Sequence, residues 1–422
     1  MKNTLTRIFG AAFSLLMLSQ AAMAIPAFAR KHGFNCNMCH VAFPKLNDFG
    51  QRFRDNGYQI PGQEGHEKTA FEDAIPIAVR TTAGYSVYGS DGQTASGSHL
   101  YGLDLLAAGV LHKNISFFFV YTPRIDEPSA DFTGSHNGNN PAQLAAIESA
   151  NVVFSNLVQD KLNLRVGRFE PGFQLLSSRR LYYVLQPFEI YNFSGTQSGF
   201  DFSTNQIGIE ATGRFKPGLK YALGYINGTG ANPDNNKYND VYFALSKVFG
   251  AGEGQSAGQR IGVFSYFGRQ PTDFTNTIVS PVGDTNGRAN RSYNRTGGDF
   301  SLNWKTLNLQ GMAFRGVDNR AFNSLDLTRD YKFWGGAVQL DWAALANNRL
   351  VASIMFNWVR PPGYDADHKV DAYSALLRYY LGSWSAVNVA LHAEYTHRVL
   401  GIDNSINSVK GDLFTMLLDF DF

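Results

Sequence analysis

The sequence predicts an all-β fold, a closed barrel of about sixteen strands that follows a short N-terminal segment. The first observation is composition, because 42 glycines and an aromatic content of 14% are typical of a chain with many strands and turns. The second is periodicity, because segments of alternating apolar and polar residues recur from about residue 75 onward. The third is the last segment of the chain.

That last segment, "DLFTMLLDFDF", alternates with a period of two residues. One face carries Phe414, Met416, Leu418, Phe420 and Phe422, and the other carries Thr415, Asp419 and Asp421. An amphipathic strand with a terminal phenylalanine is typical of the final strand of a bacterial outer-membrane barrel. Outer-membrane lipid is therefore a predicted partner.

The connections alternate in length, as an up-and-down membrane barrel requires. Short turns are predicted at 112–114, 216–218, 304–306 and 382–383, and long polar loops at 123–144, 170–203 and 268–291. The even number of strands places both termini on the short-turn side, which is periplasmic in such barrels.

Strand faces follow from the same period. Around 350–358, Ala352, Ile354, Phe356 and Trp358 are predicted to meet lipid, and Ser353, Met355 and Asn357 to face the lumen.

The N-terminus predicts export. Lys2 and Arg7 precede the apolar run "IFGAAFSLLMLSQAAMA", which ends in Ala22-Met23-Ala24, so cleavage is expected after Ala24. The predicted organisation is a signal peptide (1–24), an N-terminal segment (25–74) and the barrel (75–422). The formal net charge is only +2, and no run of like charges indicates a nucleic-acid partner.

The only two cysteines lie in "FNCNMCH", residues 34–40. Two thiols three positions apart and a following histidine are typical of covalent haem attachment, with Cys36 and Cys39 as thioether sites and His40 as the proximal iron ligand. A disulfide, a redox dithiol and half of a zinc site are the alternatives. Zinc would need two more ligands, and the chain has no second CxxC.

Residues 24–60 resemble the haem segment of the fused outer-membrane monohaem cytochrome–porins, whose best-known members are the iron-oxidising outer-membrane cytochromes. The shared residues are Pro26-Ala27-Phe28-Ala29-Arg30, Gly33, Cys36, Cys39, His40, Pro44, Leu46-Asn47, Phe49-Gly50, Phe53 and Gly57-Tyr58. Iron-oxidising members carry an FQ-containing stretch directly after the haem histidine, whereas this chain has Val41-Ala42-Phe43.

The resemblance implies one covalent haem c and an electron conduit through the outer membrane. Such a protein would oxidise extracellular Fe(II) and reduce a periplasmic cytochrome or similar carrier, which makes it an iron:cytochrome c oxidoreductase type of electron-transfer protein. The alternatives are a porin for small solutes with a haem-bearing plug or sensor segment, and a haem enzyme with an open iron site.

The sixth haem ligand is open at the level of sequence. Met38 lies inside the attachment loop and cannot reach the far face of the haem. The remaining candidates are His32, His66, His112, Met312, Met355 and His392, or no protein ligand.

Two expectations concern the loops. The 170–203 loop carries five aromatic residues, Tyr182, Tyr183, Phe188, Tyr191 and Phe193, and either folds into the barrel or packs on itself outside. Arg179 and Arg180 there either balance haem propionates or are solvated.

Fe(II) is expected to deliver its electron at the long-loop face without entering the barrel, because oxygen ligands suit this cation. The acidic loop residues are Asp91, Asp126, Glu127, Asp131, Asp234, Asp326, Asp330, Asp365 and Asp367.

Overall fold

The computed structural model describes most of the chain. The described residues are 27–34, 36–42, 44–72, 77–90, 92–123, 146–172, 183, 188–198, 200, 202, 204–215, 218–230, 234, 236–250, 259–273, 288–345, 348–384, 387–401 and 409–421. The predicted signal peptide, Arg179, Arg180, Tyr182, Asp91, Asp126, Glu127 and Asp131 lie outside them.

The N-terminal segment is made of short elements. They are helix α1 (Ala27–His32), helix α2 (Cys36–Cys39), strand β1 (His40–Ala42), strand β2 (Lys45–Leu46) and helix α3 (Asp48–Asp55). β1 and β2 pair as a small antiparallel sheet. α3 begins after Asn47, whose side chain accepts a hydrogen bond from the Gly50 N–H and so caps the helix.

Sixteen further strands form a closed antiparallel barrel. They are β3 (Ile77–Ser90), β4 (Gln93–His112), β5 (Ile115–Thr122), β6 (Ala146–Phe154), β8 (Asn163–Phe169), β9 (Gln206–Phe215), β10 (Leu219–Ile226), β11 (Asp240–Phe249), β12 (Gln259–Asp273), β13 (Arg288–Trp304), β14 (Leu307–Asp318), β15 (Tyr331–Ala344), β16 (Leu350–Arg360), β17 (Val370–Trp384), β18 (Val387–Leu400) and β19 (Val409–Asp421).

Short elements lie in the connections. They are β7 (Leu157–Asp160), helix α4 (Glu189–Asn192) and the 3-10 helices Arg320–Phe322 and Gly363–His368. No helix among the described residues is both long enough and apolar enough to cross a membrane.

The first and last barrel strands close the wall. β19 pairs with β3 in an antiparallel register that runs from Gly411 opposite Ser90 to Asp421 opposite Arg80. Because closure leaves no strand edge, every spanning backbone group can pair within the sheet. The sixteen-stranded barrel predicted from periodicity is confirmed.

The side chains alternate between the two faces as predicted. Ile354 is 60% exposed on the outer face, whereas its neighbours Ser353 and Met355 are 3% exposed and point inward. In the last strand, Met416 is 58% exposed and Thr415 is fully buried. The lipid-facing surface is therefore apolar and the lumen polar, which is the pattern of a membrane barrel.

One predicted turn is wrong. β17 continues through Trp384, so residues 382–383 are strand rather than turn. The register with β18 shifts between Tyr380 and Gly382, and this irregularity inserts an extra residue that the alternation pattern did not reveal.

Candidate haem-attachment site

The CxxCH motif begins as one helical turn. α2 comprises Cys36–Cys39, and His40 begins β1 directly after it. Met38, between the two cysteines, is 42% exposed. Cys39 and His40 are half-buried, so only the turn between the two cysteines lies at the surface of the segment.

Asn47 holds the motif backbone in place. Its backbone N–H donates to the carbonyl oxygen of Cys39 at 2.9 Å, and its Nδ2 donates to the carbonyl oxygen of Met38 at 2.9 Å. Asn47 is 3% exposed, so these hydrogen bonds satisfy a buried amide. One side chain thus joins the motif to the start of α3.

Gly50 lets α3 pass directly over the motif. A Cβ atom built at this position would overlap the carbonyl oxygen of Cys39 and would touch Leu46. The family resemblance included both Asn47 and Gly50, and the geometry now gives each of them a physical role.

His40 has the tautomer that an iron ligand needs. Its Nδ1 lies 3.2 Å from the carbonyl oxygen of Pro44. A carbonyl oxygen only accepts, so Nδ1 carries the proton and the ring lone pair is on Nε2. Burial lowers the pKa of His40 to about 4, against the opposing effect of backbone hydrogen bonds to Pro44 and Lys45. The imidazole is therefore neutral at physiological pH, as metal ligation requires.

An aromatic cluster packs beside the motif. Phe28 stacks on Tyr58 and meets Phe53 edge-on, with ring centroids 5.0 Å apart in both cases. His32 lies 5.2 Å from Phe34 and 5.6 Å from Phe53. Such apolar rings suit the macrocycle of a haem, so the residues present fit this cofactor.

The segment is anchored to the barrel by charge on one side. Asp55, at the end of α3, lies 2.6 Å from Lys220 Nζ and 3.0 Å from Arg214 Nη2. Burial alone would raise the pKa of Asp55, but Lys220, Arg54 and Arg214 outweigh it and hold the pKa well below its usual range. Asp55 thus remains ionised and joined to the β9–β10 hairpin.

A second anchor lies further around the wall, on β14–β16. Lys45 Nζ contacts Asp341 at 2.8 Å and also donates to Asn308. The Asn348 side chain donates to the carbonyl oxygen of Val41 at 2.6 Å. This anchor holds the strand directly after His40.

A third group of contacts involves β4 to β8. Gln59 Nε2 donates to Ser155 Oγ at 3.0 Å, and the Ala70 N–H donates to the carbonyl oxygen of Val110 at 2.7 Å. Tyr58 stacks on Phe118 of the wall at 5.5 Å. All three anchors lie at short-turn ends of strands, so the segment is seated across the short-turn mouth of the barrel.

Of the six candidates for the sixth ligand, the structure brings only His32 into the aromatic cluster. Its Nε2 lies 3.7 Å from a Glu67 carboxylate oxygen. His66 and His112 are exposed. Met312, Met355 and His392 are buried on the wall.

His392 is held by two carboxylates. Its Nε2 lies 2.7 Å from Glu394 and its Nδ1 3.2 Å from Asp419. Glu394 lies two positions further along the same strand, β18, and Asp419 lies on the neighbouring strand β19, so both ring nitrogens have partners. The identity of the sixth ligand stays a prediction.

The described residues of the 170–203 loop lie inside the lumen, as the first of its two predicted arrangements requires. Glu189 of α4 accepts from Arg398 on the opposite wall at 2.8 and 3.0 Å, and the Tyr183 hydroxyl donates to the Ser374 carbonyl at 3.3 Å. Phe188, Tyr183 and Tyr191 are each 3% exposed. This loop therefore narrows the barrel above the seated segment.

The CxxCH motif is visible in the sequence, but the contacts that dock its segment on the barrel are not. Asp55, Arg214 and Lys220 are ordinary charged residues in the sequence, and 165 positions separate Asp55 from Lys220. No local pattern signals such a pairing. Within the described ranges, no three His, Cys, Asp or Glu side chains are grouped as a metal site would require.

Comparisons with solved structures establish the fold. An anion-selective porin from Comamonas acidovorans matches with a TM-score of 0.55 at 13% identity, covering 82% of this chain and 98% of the porin. OmpF of Salmonella typhi, solved with daunomycin, matches with a TM-score of 0.55 at 12% identity, covering 82% and 97%. The outer membrane channel DcaP of Acinetobacter baumannii matches with a TM-score of 0.51 at 11% identity, covering 82% and 96%.

No protein-family model and no curated protein matches the chain. The closed barrel of sixteen strands and its likeness to these solved porins define the fold as a porin-like barrel of the outer-membrane type.

Proposed function

We propose that this chain is an outer-membrane electron conduit with one covalent haem c on Cys36 and Cys39 and His40 as proximal ligand. In this proposal it accepts electrons from extracellular Fe(II) and passes them to a periplasmic cytochrome or similar carrier, and both termini are periplasmic. The single observation that carries the proposal is the seat of the motif, because a CxxCH turn with an exposed Met38 lies at the short-turn mouth.

When bound, haem c supplies reversible one-electron redox chemistry at its iron. The chain's own residues prepare that site. Pro44 fixes the His40 tautomer, Asn47 fixes the motif backbone, and the Phe28–Phe53–Tyr58 cluster excludes water. A low-polarity setting disfavours the extra charge of the oxidised iron, and so favours a raised reduction potential.

The position of the motif at the short-turn mouth changes the place where Fe(II) is proposed to react. The motif lies at the mouth opposite the long loops, and an apolar band about 25 Å tall separates the two ends of such a barrel. Electron transfer weakens steeply with distance, so Fe(II) bound only at the long-loop face would be too far from the motif. We therefore replace the sequence-based expectation of oxidation at the outer face with entry of Fe(II) into the lumen.

The second candidate function is a porin for small solutes with the haem segment as plug or sensor. The solved structures that match are porins and channels, and they support this candidate more directly than electron transfer. Here the anchors of Asp55 and Lys45 would hold a plug that leaves when solutes pass.

Two measurements on the purified holoprotein separate these functions. Anaerobic stopped-flow mixing of the oxidised protein with Fe(II) is expected to reduce the haem, as seen in its absorption bands. Flux of small solutes into proteoliposomes is expected to be low. Haem bands unchanged by Fe(II), together with rapid solute flux, would favour the plugged porin.

A further inference from the structure

A recess in the barrel wall lies beside the Asp55 anchor. A row of directly opposite residues on β10 to β13 crosses it, namely Lys220, Ser246, Gly262 and Asp299. Lys220 also lies 2.6 Å from Asp55 of α3. The recess therefore borders the docked N-terminal segment.

The recess is on the lumen side of the wall. Leu245 and Val263, which alternate with residues of the row, are 41% and 55% exposed on the outer face, so the row itself points inward. Lys220 is the second residue of β10, which places the recess near the short-turn mouth. Ala222 and Ala244 border it with small side chains, and the empty space in and before the recess is about 270 Å³, part of it open solvent.

Arg260, which also lines the recess, has a donor without an acceptor. Its side chain is 9% exposed and its Nη1 lies 2.8 Å from Asp299 Oδ1. Its Nη2 is buried and has no hydrogen-bond partner among the described residues. Buried guanidinium donors are normally paired, because an unpaired one has lost its water without compensation. The orphaned nitrogen therefore indicates an acceptor that occupies the recess.

The charges around the recess do not balance. Four cations meet three carboxylates in this part of the described chain. The cations are Arg54, Arg214, Lys220 and Arg260, and the carboxylates are Asp48, Asp55 and Asp299, with N–O distances from 2.6 to 3.8 Å. One positive charge is left over, so the missing acceptor is expected to be an anion.

We propose that the recess binds one oxyanion group, a carboxylate or a phosphate, between Arg260 and Lys220. Arginine offers such a group a planar fork of donors and lysine a point charge, and the Ser246 hydroxyl is a further donor. β10 and β12 are two strands apart, roughly 10 Å, and two long side chains can reach a group between them.

Two sources share this chemistry. The first is a propionate of the haem, and that assignment rests on the proposed function. It is supported by α3, which passes over the motif at Gly50 and contacts Lys220 through Asp55. The second is a free small anion in the lumen, which requires no haem.

The test titrates the full chain in detergent with inorganic phosphate, followed by calorimetry in a buffer without other oxyanions. Haem-bearing wild type is compared with the Cys36→Ala/Cys39→Ala protein. In the haem-bearing protein, resonance Raman spectroscopy also follows the bending mode of the propionates.

Two variants of both proteins change the recess in different ways. Arg260→Gln/Asp299→Asn removes both partners of the ion pair, so that no buried charge is left alone. Ala244→Leu fills the recess and keeps every cation. The control is Lys247→Gln, which removes a positive charge from the outer face of β11 directly after Ser246. Heat-modifiable gel mobility verifies that each barrel is folded.

We expect phosphate to bind the haem-free protein, and each recess variant to weaken that binding about tenfold, because a charge-assisted hydrogen bond or its space is lost. Lys247→Gln should bind as its parent does. If a propionate is the natural occupant, haem should block phosphate and the recess variants should shift the Raman mode. Phosphate binding that is equal with and without haem would assign the recess to a free anion.

The proposal is overturned if neither phosphate binding nor the Raman mode responds to the two recess variants, since the recess would then hold only water. The phosphate titration needs no haem. A protein that carries no haem, or whose haem Fe(II) does not reduce, would therefore contradict the proposed electron transfer and leave this test decisive.

Discussion

The barrel wall and the N-terminal segment are stabilised in different ways. The wall closes on itself. Its strands pair with the strands before and after them in sequence, except where β8 follows β6 across the short β7 and where β19 meets β3. The described residues of the segment form short helices and a two-stranded sheet, too little to bury a core alone. It depends on ion pairs and hydrogen bonds to distant strands. Changes in the segment should therefore affect haem and docking and leave the wall intact.

The largest expected effect comes from Cys36→Ala/Cys39→Ala. The double variant should lose covalent haem completely, because no other cysteine exists in the chain. A peroxidase-active band after denaturing electrophoresis measures the loss, and unchanged heat-modifiable mobility serves as the control for barrel folding. Haem that survives denaturation in this variant would refute the attachment site.

Asp55→Asn should detach the segment from the β9–β10 hairpin. The change removes the carboxylate that Lys220 contacts and leaves Arg214 only the more distant Asp48, at 3.8 Å. Breaking such a buried pair costs about 3 kcal/mol. Limited proteolysis should cut the segment faster than in wild type. The matched control is Asp160→Asn, an exposed carboxylate at the same mouth, which should behave as wild type.

The same anchor predicts a pH dependence. Because the pKa of folded Asp55 lies below the ordinary value of 3.8, its contribution is fully present above that value and is lost as the pH falls below it. Protease sensitivity of the segment in wild type should rise on acidification below about pH 4, and should change less in Asp55→Asn. Equal pH profiles for the two proteins would contradict this anchor.

Gly50→Ala should disturb the close packing of α3 against the backbone of the CxxCH motif. The new Cβ would overlap the Cys39 carbonyl oxygen, and such overpacking costs about 2 kcal/mol. The haem-to-protein ratio, from absorbance, should fall. Gly102→Ala is the control, since a Cβ there meets open space. Full haem loading in Gly50→Ala would show that the close contact is not required.

The smallest effect is expected from Glu189→Gln, which removes the charge that joins the inward loop to Arg398. A neutral amide keeps one hydrogen bond, so the loop should loosen without leaving the lumen. Single-channel conductance in planar bilayers should rise modestly, and Asp326→Asn in an exposed loop should not change it. Unaltered conductance in Glu189→Gln would mean that the ion pair between Glu189 and Arg398 does not determine how far the loop narrows the lumen.

The strands of the barrel wall were predictable from the sequence because their side chains alternate with a period of two. Alternation alone placed Ile354 outside and Ser353 inside, and a strand number of sixteen followed from counting segments. It failed at residues 382–383, where an irregular register at Tyr380 and Gly382 lengthens β17. Period two carries no signal for an inserted residue.

The candidate site was predictable only in its local chemistry. The spacing of Cys36, Cys39 and His40 is visible in the sequence, and the resemblance included Asn47 and Gly50. The pairing of Lys45 with Asp341, 296 positions away, is set by the closed barrel. Inward folding of the long loop likewise depends on Arg398, which lies 209 positions from Glu189.

The proposed electron transfer is tested most directly by the route that Fe(II) takes to the motif at the short-turn mouth. Intact cells that express the protein are given free Fe(II) or Fe(II) held in a chelate too bulky for the lumen, and haem reduction is followed by absorbance. Cells that express Cys36→Ala/Cys39→Ala give the background. Free Fe(II) is expected to reduce the haem and the bulky chelate is not. Equal reduction by both, or by neither, would contradict entry of Fe(II) through the lumen.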